Sequence, residues 1–149
     1  MADKSKVGKV YPPVTWEVER VKIREMAMAI GDTNPIFLDK EAAKKEGYQD
    51  TPPVPTMGTV PLNWSGVMEN FIVDLDINFV NVLHGEEHYE YIKEFYPGDV
   101  LTGSPKVSDF VEKESKSGRK MHLVTMEVLW KNQNDEEVLK ARSILIERL

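Results

Sequence analysis

The chain has 149 residues, a net charge of -6 and no cysteine, with 41% hydrophobic and 30% charged residues. This describes a single globular domain with a sizeable core, not a disordered or disulfide-stapled chain. The acidic balance disfavours nucleic acid and acidic membranes as nonspecific partners, no stretch approaches the roughly 20 apolar residues of a membrane span, and the lack of cysteine fits a reducing, cytoplasmic setting.

Residues 1–9, MADKSKVGK, carry no apolar run, so they are expected as a flexible tail rather than a signal peptide, ahead of one domain over 10–149. Val10 and Tyr11 open a short extended entry. A helix is predicted from Thr15, a candidate N-cap followed by Glu17 and Glu19, with Ile23, Met26, Ala27 and Ile30 on its buried face. Gly31 ends it, and after the polar turn Asp39 caps a second short helix closed by Gly47. The prolines between 49 and 55 exclude regular structure.

The uncharged segment 57–68, MGTVPLNWSGVM, reads as one buried helix at the centre of the domain, bent or begun at Pro61. Beyond it come four strand-like segments, 86–95, 100–111, 121–131 and 138–149, separated by the turns YPGD, ESKSGRK and NQNDEE. His122, Val124, Met126, Val128 and Trp130 fall on one face of the third. Short connections imply antiparallel neighbours, so the expected class is α+β, helices first and an antiparallel sheet after.

The order of GDTNPIFLD, PPVPT, LHGEEHYEYIKEFYPGDVL and ARSILIE resembles the hot-dog fold, and within it the MaoC-like hydratases and dehydratases, in particular those related to the dehydratase region of fatty acid synthase. The resemblance implies a curved antiparallel sheet wrapped around a central apolar helix, pairing of two such folds, and acyl-thioester channels at their interface. It implies no cofactor and no metal: the thioester of CoA or an acyl carrier protein is the substrate. Catalytic members of that family read D-x-N-P-x-H-x-D in the first loop. Here Asp32, Asn34, Pro35 and Asp39 match, but Phe37 stands where the histidine belongs.

Asp32 is the candidate acid or base, with capping of its own turn as the plainer role. Gly58, and beside it Thr59, correspond to the family's backbone donors to the thioester oxygen, with close packing as the alternative. Asn34 braces the loop or touches substrate, while Phe37, Trp64 and Met68 pack in the core or line an acyl channel. Phenylalanine neither exchanges a proton nor accepts a hydrogen bond from water, so the site is incomplete. His84, His88 and His122 are expected to be structural, and their spacing suits no zinc site.

Two kinds of function follow from the resemblance. The first is a subunit of an enoyl-thioester hydratase or 3-hydroxyacyl-thioester dehydratase, as a homodimer or paired with a histidine-bearing hot-dog chain. The second is a noncatalytic acyl-chain or acyl-CoA binding protein; a thioesterase is a third, weaker reading.

Overall fold

A computed structural model describes residues 2–115 and 118–149. The chain opens with β1 (Val14–Glu17), α1 (Arg20–Ala29), α2 (Pro35–Leu38) and α3 (Lys40–Lys45). The middle is formed by α4 (Val60–Trp64) and α5 (Val67–Asp74). Strands β2 (Val82–Tyr91), β3 (Val100–Gly103), β4 (Lys106–Glu114), β5 (Lys120–Lys131) and β6 (Glu137–Arg148) complete it. All pairings are antiparallel, in the order β1-β3-β5-β6-β2, with β4 also lying along β5. The outcome is a hot-dog-like arrangement of helices on an antiparallel sheet.

The first helix begins later than its capping signals suggest. Residues 14–17 alternate buried and exposed, and pair with β3 from Val14 opposite Gly103 to Glu17 opposite Val100. Trp16 is 1% exposed and meets Phe95 and Trp130 edge-on, with ring centroids 5.4 and 5.8 Å away. Burying that indole between two aromatic rings outweighs a cap at Thr15. Helix α1 therefore starts at Arg20, buries Ile23 and Ala27, leaves Ile30 exposed, and ends before Gly31 at φ +75°.

The segment 57–68 is not one helix. Met57–Thr59 forms a 3-10 turn, α4 runs five residues, and the chain reorients at Gly66, φ +70°, before α5. Ser65 Oγ donates to the Leu62 carbonyl at 3.0 Å, an alternative to continuing the helical ladder. Met57, Gly58, Pro61, Leu62, Val67 and Phe71 are buried, so the apolar face survives the break, but Trp64 is 55% exposed beneath the Lys22 ammonium.

In the sheet, the expected strand over 100–111 is split at Ser104 and Pro105. β3 and β4 flank that break and pair with opposite ends of β5, at Thr102–Lys131 and from Lys106–Glu127 to Glu114–Lys120. Proline has no N–H to give the ladder. β2 begins four residues earlier than expected, at Val82 rather than Glu86, and Phe95 lies beyond it in the core. His122, Val124, Met126, Val128 and Trp130 are all buried on one face of β5, as the alternation predicts. The turn between β5 and β6 is closed by Asn132 Oδ1, which accepts from Asn134 and Glu136 N–H. In the expected ESKSGRK turn, Lys116 and Ser117 lie outside the described residues; Ser115 N–H bonds to the Arg119 carbonyl at 2.8 Å.

The N-terminal segment, expected as a loose tail, is fastened down. Ala2 N–H donates to Glu147 Oε2 at 2.8 Å, Asp3 N–H to the Leu75 carbonyl at 2.8 Å, and Gly8 N–H to the Val107 carbonyl at 2.8 Å. Lys9 pairs with Asp74. Glu147 is 2% exposed and also accepts from Asn78 N–H and from His122 Nδ1. Burial would raise its pKa, but these donors outweigh burial and hold it below the usual carboxylate value. No helix among the described residues is long and apolar enough to cross a membrane.

One carboxylate joins two helix starts to the proline-rich segment. Asp50 takes Arg20 Nε at 2.9 Å and Nη2 at 2.6 Å, Lys40 Nζ at 2.9 Å, and Thr51 N–H at 2.8 Å. It thereby ties the starts of α1 and α3 to the proline-rich segment. The Arg20 fork foremost, with Lys40 and Thr51, holds its pKa far below the usual range. A depressed carboxylate pKa contributes stability above the unfolded value of about 4, and that contribution is lost as pH falls through the folded value. Asp50→Asn is expected to cost about 2 kcal/mol at pH 7, a figure discounted because both cations are half exposed, with the difference shrinking below about pH 4. Urea denaturation of both proteins at pH 7 and pH 3 checks this.

Candidate functional site

The first loop is built by local hydrogen bonds. Asp32 N–H returns to the Ala27 carbonyl at 2.8 Å, and Asp32 Oδ1 accepts from Asn34 N–H at 2.9 Å. Asn34 Oδ1 in turn accepts from Ile36 N–H at 3.2 Å and caps α2, with Pro35 as that helix's first residue. Asp39 Oδ1 accepts from Ala42 N–H at 2.7 Å and caps α3. Each polar residue of the motif therefore has a structural task, and Asp32 performs its task with one carboxylate oxygen while remaining partly accessible.

Phe37 points away from this polar surface. It is 7% exposed and belongs to the main hydrophobic core. An imidazole in that direction would be buried among apolar side chains, so the loop presents Asp32 without a proton-transfer partner from its own α2. Asn34, Pro35, Ile36, Ala42, Glu46 and Tyr48 are among the residues lining a shallow depression of about 460 Å³; neither Asp32 nor Gly58 lines it.

The second element is Gly58. It is buried in the turn before α4, where an added Cβ would lie 2.9 Å from Tyr89 Cε1 and 3.0 Å from Leu139 Cδ2. The absence of a side chain lets this turn rest directly on β2 and β6. Thr59 N–H donates to the Thr56 carbonyl at 3.4 Å, and the break at Gly66 leaves α4 too short for the strong terminal dipole of a long helix. Tyr89, which the motif reading passed over, covers Gly58 with its ring; Thr59 and Glu87 are near enough to act on its hydroxyl. Burial first, then the Glu87 charge, raise the Tyr89 pKa, so it stays a neutral phenol.

The three histidines each face a carboxylate. His84 Nε2 lies 2.9 Å from Glu87 Oε1, His88 Nε2 lies 2.9 Å from Glu86 Oε2, and His122 Nδ1 lies 3.2 Å from Glu147 Oε2. His122 is buried as expected of a face-packing residue, while the other two are exposed. No group of His, Cys, Asp and Glu among the described residues forms a metal-binding cluster. A separate apolar hollow of about 280 Å³ lies between Tyr48, Pro52, Pro53, Pro55, Tyr91 and Phe95, with neighbouring residues completing it. Tyr91 Oη closes one side by donating to the Pro55 carbonyl at 2.9 Å.

Known proteins are similar to this chain in sequence, and solved structures are similar to it in fold. The family description "FAS1-like, dehydratase domain region" matches residues 5–141. A UPF0336 protein of Thermobifida fusca is 33% identical over 144 residues, covering 95% of this chain and 91% of the relative. A UPF0336 protein of Streptomyces avermitilis is 40% identical over 103 residues, 67% of each chain. Among solved structures, the HadBC (3R-hydroxyacyl-ACP dehydratase) complex of Mycobacterium tuberculosis superposes with a TM-score of 0.77 at 23% identity, covering 95% of this chain and 96% of that one. The ChsH1-ChsH2 complex of the same organism gives 0.69 at 22% identity, covering 93% and 83%. An (R)-hydratase from A. caviae involved in PHA biosynthesis gives 0.68 at 13% identity, covering 97% and 98%. The chain belongs to the FAS1-like dehydratase-region family, and its fold is the hot-dog fold of the MaoC-like hydratases and dehydratases.

Proposed function

We propose that this chain is the acyl-shaping subunit of a hetero-oligomeric hydratase or dehydratase acting on 2-enoyl and 3-hydroxyacyl thioesters of CoA or an acyl carrier protein. The observation that carries the reading is Phe37: the family's proton-transfer position holds a buried phenyl ring while the rest of the motif, Asp32, Asn34, Pro35 and Asp39, is kept. Two solved relatives of the same fold, HadBC and ChsH1-ChsH2, are complexes of two different chains, which supports the pairing.

The chemistry explains why a second chain is needed. Hydration forms a C–O bond at the β carbon and a C–H bond at the α carbon, while a proton leaves the attacking water. Asp32 offers one carboxylate for this transfer. A partner carrying the intact D-x-N-P-x-H-x-D motif supplies the histidine. Gly58 and Thr59 border the thioester carbonyl, with Asn34, Phe37 and Trp64 shaping the acyl path. In this reading the sheet curls round α4 and α5 into the full hot-dog wrap, the exposed Trp64 is covered on assembly, and the complex works in the cytoplasm. The alternative of a purely acyl-binding protein shares every feature except the catalytic partner.

The test is hydration of crotonyl-CoA by this chain mixed with a hot-dog chain that carries the histidine. Activity is expected to require both chains and to fall at least about a hundredfold when the partner's histidine is replaced by alanine. No turnover with any such partner, with thioester binding intact, would leave the acyl-binding alternative. Gly58→Ala is expected to lower stability by about 1–3 kcal/mol, because Tyr89 and the fully buried Leu139 must both give way, and to weaken thioester binding with it. Thermal denaturation and calorimetric titration with crotonyl-CoA read both effects.

A further inference from the structure

Gly58 rests near the start of β6, at Leu139. At the other end of that strand a hollow of about 410 Å³ lies between the N-terminal segment and the paired ends of β4 and β5. The volume is that of a small-molecule site. Among the described residues its apolar wall is Ala2, Phe110, Met121 and Leu149. His122 also lines it, although that residue is only 6% exposed. Residues directly opposite on paired strands share a face, and His122 has Glu112 opposite on β4 and Glu147 opposite on β6.

The two ring nitrogens of His122 are not equivalent. Nδ1 lies 3.2 Å from Glu147 Oε2. Burial pushes that carboxyl up, but Asn78 N–H, Ala2 N–H and His122 together pull it lower, so it is ionised. A carboxylate only accepts, so the proton of the neutral imidazole sits on Nδ1 and Nε2 keeps its lone pair. Nε2 has no hydrogen-bond partner among the described residues, yet it is not one of the side-chain atoms shut off from solvent. A bare acceptor on a buried residue is uncommon, and this one belongs to the wall of a hollow.

We infer that this hollow is a second ligand site, for a neutral apolar molecule of the phenol or alcohol class whose single hydroxyl donates to His122 Nε2. The Phe110 ring, 4.9 Å from the imidazole and tilted by 47°, takes the apolar body together with Met121 and Leu149. The rim selects no ion: Lys4, Lys113 and Lys120 stand against Glu112 and Glu114, all five exposed and screened by solvent. A hydrocarbon of the same shape leaves Nε2 bare, and an anion meets its lone pair. The site is independent of the acyl-thioester reading, which concerns the Gly58 turn.

Nuclear magnetic resonance titration of the nitrogen-15-labelled full chain at pH 8, with phenol and with toluene, tests this. The free protein is expected to show the Nδ1–H tautomer of His122. Phenol is expected to bind about tenfold more tightly than toluene and to move the Nε2 resonance, which toluene leaves in place. His122→Asn retains an N–H donor for Glu147 but lacks Nε2, and is expected to lose the preference for phenol. Toluene binding as tightly as phenol, or an Nε2 resonance unmoved by bound phenol, would overturn the site whether or not the variant folds. So would the opposite tautomer in the free protein, a preference that survives in His122→Asn, or no binding of either probe. None of these outcomes bears on the acyl-thioester reading.

Discussion

The turn before α4 can lie on the sheet because position 58 has no side chain. With a Cβ there, Tyr89 and Leu139 would be met at 2.9 and 3.0 Å, and the turn would have to lift. That contact sets the height of α4 above β2 and β6, fixes where Thr59 meets Tyr89, and brings the apolar residues Met57, Pro61 and Leu62 into the core. Gly58, proposed above to border the thioester carbonyl, is also where the turn before α4 rests on Tyr89 and Leu139, so under that proposal a change at this position alters both.

A second constraint is electrostatic. The first loop is closed by its own hydrogen bonds, and Asp50 joins the elements on either side of it to the proline-rich segment. Its bonds to Arg20, Lys40 and Thr51 join two helix starts to the segment that leads into Gly58. The opposite end of the sheet is organised in a similar way: Glu147 gathers Ala2, Asn78 and His122 around one buried carboxylate. Both are acids whose burial is compensated by several donors, the condition under which a buried charge is tolerated.

Local patterns in the sequence account for much of this. Asp39 reads as a cap and acts as one, Gly31 reads as a terminator and adopts the left-handed conformation, and the even-numbered face of β5 is buried. Where local signals compete, the sequence misleads. Thr15, Glu17 and Glu19 favour a helix start, yet the period-2 burial of Val14 and Trp16 decides the matter through contacts with Phe95 and Trp130, which are distant in the chain. Gly66 breaks the segment 57–68, whose uncharged composition reads as one helix. Asp50 and its partner Arg20 are 30 residues apart, and Ala2 and Glu147 are 145 apart, separations at which no periodicity gives a clue. Tyr89 is singled out by no local pattern in the sequence, and only its pairing opposite Ala141 and its contact with Gly58 bring it to the turn before α4.

Phe37 gives the account its central claim: this chain holds an acyl thioester but does not move the protons of hydration by itself. The most direct measurement is nuclear magnetic resonance of crotonyl-CoA with the purified chain alone in deuterated water, which reports binding and any deuterium delivered to the α carbon. The account predicts resonance broadening of the bound acyl group with no deuterated 3-hydroxybutyryl-CoA formed. Appearance of that product, lost in Asp32→Ala, would contradict it, as would the absence of any binding.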